Sequence, residues 1–211
     1  MNSAVVPLVY AEDSGEMTPI GTAFAIACGG REAILVSARH VFQHAGYLDG
    51  ERDRIRHHAT ALSEFLPPRS AYVFEKGKVY AVMLGQENSV HFATVGTVMH
   101  HTNTDLVWFS AFFSEPTPKG IGFAGKLSVD TDQPDVGDEV FALGFPNMTS
   151  SWEADLERGA FSVQLVCRRA VVLETFSNGY APMRLGPSIR IDAPISCGMS
   201  GGPVVQKVAG R

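Results

Sequence analysis

Near the end of this chain a serine is framed by glycines, and its position limits what the chain can fold into. The stretch Cys197-Gly198-Met199-Ser200-Gly201-Gly202-Pro203-Val204-Val205 bends and then enters an apolar, strand-like run. Glycines let the backbone turn sharply and leave N–H groups free to face a ligand. A nucleophilic serine needs that setting: an exposed hydroxyl, with donors nearby for the charge that develops on an attacked carbonyl oxygen. Taken alone, the same residues equally describe a glycine-rich turn with a solvated serine, because short motifs recur by chance.

A serine hydroxyl is a poor nucleophile without a base, and the base must be oriented by a third group. Ile34-Leu35-Val36-Ser37-Ala38-Arg39-His40-Val41-Phe42 places a histidine directly after an apolar strand run. Thr104-Asp105-Leu106-Val107-Trp108-Phe109-Ser110 places an acid at the start of another. Asp49 and Asp53 compete for that role but sit in a charged segment poorly suited to burial. The order is therefore His40, Asp105, Ser200. Gly198-Met199-Ser200-Gly201-Gly202 also fits the G-x-S-x-G pattern of α/β-hydrolases, in which acid and histidine follow the serine. No histidine is found among the 11 residues after Ser200, so that fold is not expected. Histidine, then aspartate, then serine is the order of the chymotrypsin type.

With these residues in hand, the chain resembles a trypsin-like (chymotrypsin-fold) serine peptidase, in particular the bacterial Deg/HtrA type. Ser37-Ala38-Arg39-His40 resembles that family's histidine segment, and Thr104-Asp105-Leu106-Val107 its aspartate strand. Val136-Gly137-Asp138-Glu139-Val140-Phe141-Ala142-Leu143-Gly144-Phe145-Pro146 resembles the strand that opens the second barrel's core. Ile191-Asp192-Ala193-Pro194-Ile195 resembles the approach to the nucleophile.

The resemblance implies an all-β, two-barrel fold and a serine endopeptidase. His40 would be the base, Asp105 its orienting acid and Ser200 the nucleophile. The backbone N–H groups of Gly198 and Ser200 would form the oxyanion hole. Pro194, Ile195, Ser196 and Cys197 would line the pocket for the residue before the cut. That pocket holds no acid, so small or medium apolar residues are expected there rather than arginine or lysine. The implied partner is a protein or peptide substrate, with no metal and no organic cofactor.

Two departures stand out. Met199 occupies the position where digestive members carry an aspartate that pairs with a new N-terminus, so that mode of activation is not expected. The family normally continues with a further strand pair. Because this sequence stops at Arg211, the second barrel is expected to be incomplete, with a regulatory domain or partner beyond Arg211. The alternative function is a catalytically silent interaction module on the same fold.

Other features set the organisation. Hydrophobic residues make up 45% and charged residues 18%, as in a globular chain rather than a disordered one. A net charge of −5 without a long basic run argues against a nucleic-acid partner. No apolar stretch is long enough to span a membrane, and Met1-Asn2-Ser3-Ala4-Val5-Val6-Pro7 does not read as a secretory signal. Cys28, Cys167 and Cys197 form no disulfide framework, and a cytoplasmic location is expected.

Ser114-Glu115-Pro116-Thr117-Pro118-Lys119-Gly120 breaks the strand pattern. The expected division is a first barrel over 1–113, a linker over 114–120 and a second barrel over 121–211. Strands are expected at 21–27, 33–37, 71–74, 79–84, 89–100, 106–113, 139–145, 161–167, 170–174 and 188–192. The segments 71–74 and 79–84 read as a hairpin around Glu75-Lys76-Gly77-Lys78, and residues 38–45 as a helical turn carrying His40. Apolar residues at helical spacing from Glu51 to Leu66 predict a helical insert in the first barrel, ended by Pro67-Pro68. His57 and His58 on that insert, and the pair His100-His101, lack neighbours at ligand spacing and read as ordinary residues rather than metal ligands.

Overall fold

The computed structural model describes residues 4–48, 69–72, 77–84, 89–101, 104–114, 121–123, 125–130, 132–153, 158–179 and 186–206. The first half carries β1 (Val5–Ala11), β2 (Met17–Gly29), β3 (Glu32–Ala38), α1 (Arg39–Leu48), β4 (Arg69–Tyr72), β5 (Val79–Leu84), β6 (Val90–His101) and β7 (Leu106–Phe112). The strands form one antiparallel sheet in the order β4-β6-β5-β1-β2-β3-β7. A further pairing of β6 with β7 closes six of them into a barrel. Closure gives each of those six strands a partner on both sides.

Residue pattern explains the closure. Along β7, Val107, Phe109 and Ala111 point inward while Leu106 and Ser110 face solvent, the period of two that a half-buried strand requires. The barrel core gathers Val6, Leu8, Tyr10, Leu35, Val98 and Phe109 among others. Phe42 of α1 meets Phe109 edge to face at 5.0 Å, which docks the helix against the barrel.

The second half carries β8 (Glu139–Gly144), β9 (Thr149–Glu153), β10 (Arg158–Ser162), β11 (Val166–Phe176), β12 (Ser188–Ile191) and β13 (Val204–Gln206). Among the described residues four of these form an antiparallel sheet that does not close on itself, β12-β11-β8-β13, and β9 pairs with β10. Its buried cluster is small: Val140, Ala170 and Val172, with Ile189, Ile191 and Ala193 packed against them. The architecture is the expected all-β, chymotrypsin-like one, with a closed six-strand barrel and further sheets. The segment after Gly120, expected to open the second half, first runs along the first barrel. The Phe123 N–H donates to Gly30 O at 2.8 Å and the Leu127 N–H to Ala25 O at 2.8 Å.

Two local expectations are corrected. Strands β4 and β5 do not form a hairpin with each other. Both run antiparallel to β6, with Tyr72 opposite Val98 and Tyr80 opposite Thr94. Strand β7 takes the other edge of β6, so β4 and β5 follow one another along a single edge. Pairing across the sheet thus overrides the local turn signal. The runs 161–167 and 170–174 are not separate strands either: β10 ends at Ser162 and β11 continues from Val166 to Phe176. Arg168 and Arg169 are exposed strand residues, and Arg169 pairs with Glu139 on β8. Strands β1 and β9 were not anticipated. The insert over 51–66, with His57 and His58, lies outside the described residues, as does the linker beyond Ser114.

Candidate active site

His40 is the second residue of α1, immediately after β3. Strand β3 pairs with β7 in a register that sets Ala38 opposite Leu106, which brings Asp105 beside the start of the helix. The Arg39 N–H donates to the Asp105 backbone oxygen at 3.0 Å, and the His40 N–H donates to Asp105 Oδ1 at 3.0 Å. The first turn of α1 has no acid of its own, so Asp105 caps it from the neighbouring strand. The other carboxylate oxygen, Oδ2, lies 2.6 Å from His40 Nδ1. One aspartate therefore fixes both the helix start and the imidazole ring. With Nδ1–H given to the carboxylate, Nε2 is left as the basic nitrogen.

Partial burial pushes the Asp105 carboxyl upward. The hydrogen bond and the charge of His40, with the backbone N–H donors of His40 and Arg39, outweigh it and hold the group below its ordinary value. The two side chains remain about half exposed, 52% for His40 and 48% for Asp105.

The nucleophile turn is built by hydrogen bonds. Gly198 and Gly201 adopt φ of +91° and +84°, a region that side chains with a Cβ rarely enter. A Cβ at Gly201 would collide with Ser37 Oγ and Thr22 O. Every carbonyl from 197 to 200 is taken. Cys197 O accepts from the Asn147 N–H at 3.4 Å, Gly198 O from Thr22 Oγ1 at 2.7 Å, Met199 O from the Gly202 N–H at 2.9 Å and Ser200 O from the Thr22 N–H at 2.8 Å. The Met199 N–H donates to Ser196 O at 3.2 Å. Among the described residues, the N–H groups of Gly198 and Ser200 have no acceptor. Two donors on alternate residues are thus left for an external oxyanion. The Met199 side chain is buried against Gly144.

His40, Cys197, Gly198 and Ser200 line one cleft of about 440 Å³. Asp105 stands behind His40. Of the expected pocket residues only Cys197 reaches this cleft; Pro194, Ile195 and Ser196 are not among its walls, and Ile195 is 51% exposed. Other walls come from Ile20, His44, Asn147 and Met148. His44 was legible as the residue one helical turn after His40, whereas Asn147 and Met148 carry no local signal. His100 is buried at the end of β6, opposite Val107, rather than at the cleft. A second cavity of about 370 Å³, walled by Cys28, Ile34 and Phe112, holds none of these groups. Among the described residues no cluster of histidine, cysteine and acidic side chains is arranged to hold a metal ion.

A family model described as a trypsin-like peptidase domain matches residues 21–211. Among solved structures the chain is similar to Deg5, with a TM-score of 0.54 and 16% identity, covering 98% of this chain and 75% of Deg5. It is also similar to the HtrA-type protease AlgW with tripeptide, with a TM-score of 0.53 and 15% identity, covering 98% of this chain and 48% of AlgW. The chain thus spans about half the length of AlgW. At such identities the likeness is one of fold. No curated protein matches the sequence.

Proposed function

The chain belongs to the family of trypsin-like peptidase domains, and from that premise we propose that it is a serine endopeptidase acting on protein or peptide substrates. Ser200 Oγ attacks the carbonyl carbon of a peptide bond, and its proton passes to His40 Nε2. Asp105 holds the ring and steadies the imidazolium. The N–H groups of Gly198 and Ser200 receive the oxyanion. His40 then gives its proton to the leaving amine, and a water activated by His40 releases the acyl group from Ser200. No step requires a metal or an organic cofactor.

The observation that carries this reading is the His40–Asp105 couple, joined at 2.6 and 3.0 Å at the edge of the cleft that Ser200 lines. The reading includes the division into a first unit ending near residue 113, a linker over 114–120 and a second unit bearing Ser200. It keeps a pocket over 194–197 without an acid, in which a buried arginine or lysine would lack a partner. It also keeps a cytoplasmic setting, supported by three cysteines that are all free thiols.

The test is digestion of dye-labelled casein by the wild type and by Ser200→Ala. Wild-type cleavage that disappears in the variant supports the assignment. Equal cleavage by both overturns it, and a wild type that cleaves nothing favours a silent module on the same fold.

A further inference from the structure

Thr22 is fully buried, yet it is a polar residue in the middle of β2. Its hydroxyl donates to Gly198 O at 2.7 Å and accepts the Phe145 N–H at 3.1 Å. Its backbone N–H donates to Ser200 O at 2.8 Å, and its carbonyl accepts from Ser37 Oγ at 2.7 Å. One residue therefore touches both ends of the nucleophile turn, the end of β8 and the strand that leads into His40. Two of the four carbonyls held in residues 197–200 are held by Thr22. A hydroxyl can donate to a carbonyl and accept from an N–H at once; an isosteric valine can do neither.

We propose that Thr22 is a positioning residue: it ties the nucleophile turn to the first barrel through the Gly198 and Ser200 carbonyls, which fixes the two peptide planes on either side of the Met199–Ser200 peptide and so keeps the neighbouring Gly198 and Ser200 N–H groups in place for an oxyanion. It acts through the turn and touches no reacting atom. The inference rests on the peptidase reading only for its catalytic consequence, because the clamp itself is a statement about the structure. Without the hydroxyl, the Gly198 carbonyl and the Phe145 N–H lose their partner in a buried place, and the turn must move to find others.

The test compares wild type, Thr22→Val and Thr22→Ser by two readouts. The first is amide hydrogen exchange, normalised to the β1–β2 ladder. In Thr22→Val the segment 197–202 is expected to exchange about tenfold faster, the factor carried by one lost buried hydrogen bond, while Thr22→Ser stays at the wild-type rate. Unchanged exchange in Thr22→Val overturns the clamp. Equal acceleration in Thr22→Ser also overturns it, since the methyl packing would then be responsible.

The second readout is labelling by a fluorophosphonate. The maximal labelling rate of Thr22→Val should fall about 10- to 100-fold, as expected for a small misplacement of reacting groups, with little change in the probe's half-saturating concentration. Thr22→Ser should restore it. Full-rate labelling of Thr22→Val overturns the catalytic role even where exchange has changed. A wild type that does not label at all removes the peptidase reading, and the clamp is then decided by exchange alone.

Discussion

The two halves of the molecule solve the same problem by different means. The first closes six strands around a large apolar core, and the second is an open four-stranded sheet with three fully buried apolar side chains in its described cluster. Val171, Leu173 and Val204 of the second sheet are 37%, 43% and 47% exposed. The histidine and the acid belong entirely to the closed half, where ladder register and a helix cap fix them. The serine sits in the second half, where Thr22 of the first barrel holds two of the four carbonyls of its turn. On the proposed reading, a turn presented by one sheet is thus held in part by the barrel of the other half.

The largest effect expected from this contrast is chemical and confined to the first half. Asp105→Asn should lower kcat about 10⁴-fold, the loss seen when a triad acid no longer holds the imidazole tautomer. Hydrogen exchange in β8 and β11 should not change. Activity near that of the wild type would mean that His40 does not depend on its 2.6 Å partner.

Next comes packing. Phe109→Ala removes a nearly fully buried ring that also docks α1, and should cost about 3–5 kcal/mol, seen as a melting temperature lower by roughly 10 °C. Val172→Ala in the second sheet should cost less, about 1.5 kcal/mol from the apolar groups removed. Native-state exchange should show β8 and β11 opening at lower free energy than β1 and β2. Equal costs and equal protection would erase the contrast between the halves.

The smallest effect is electrostatic. The Asp105 pKa is depressed in the folded chain, so its contribution to stability is fully present above the ordinary value of 3.8 and is lost as pH falls through the folded pKa. The pair is half exposed, so the contribution is modest and weakened by salt. Melting curves taken between about pH 5 and pH 2 should fall less steeply for Asp105→Asn than for the wild type. Parallel curves would contradict the assignment of that shift to His40.

Much of this was legible in the sequence, for reasons that differ by residue. His40 and Asp105 announce themselves because each adjoins a strand with a clear apolar pattern, and Ser200 because glycines mark its turn. Strand β1 was missed because its residues are buried on both faces and show no alternation. Pro7 is tolerated there because β5 pairs with β1 only from Leu8 to Tyr10. The false hairpin at 71–84 arose from a good local turn signal that pairing with β6 overrode. Thr22 could not be found from sequence, since its importance lies wholly in contacts with residues 15 to 178 positions away. The pocket over 194–197 was placed by analogy, and only Cys197 lines the cleft.

On the proposed mechanism a histidine and an acid fixed by the first barrel activate a serine presented by the second half. The most direct measurement is fluorophosphonate labelling followed by peptide mass spectrometry. A single adduct on Ser200 is expected in the wild type, abolished in Ser200→Ala and strongly slowed in His40→Ala. An adduct on another residue, or labelling of Ser200 that is unaffected by His40→Ala, would contradict it.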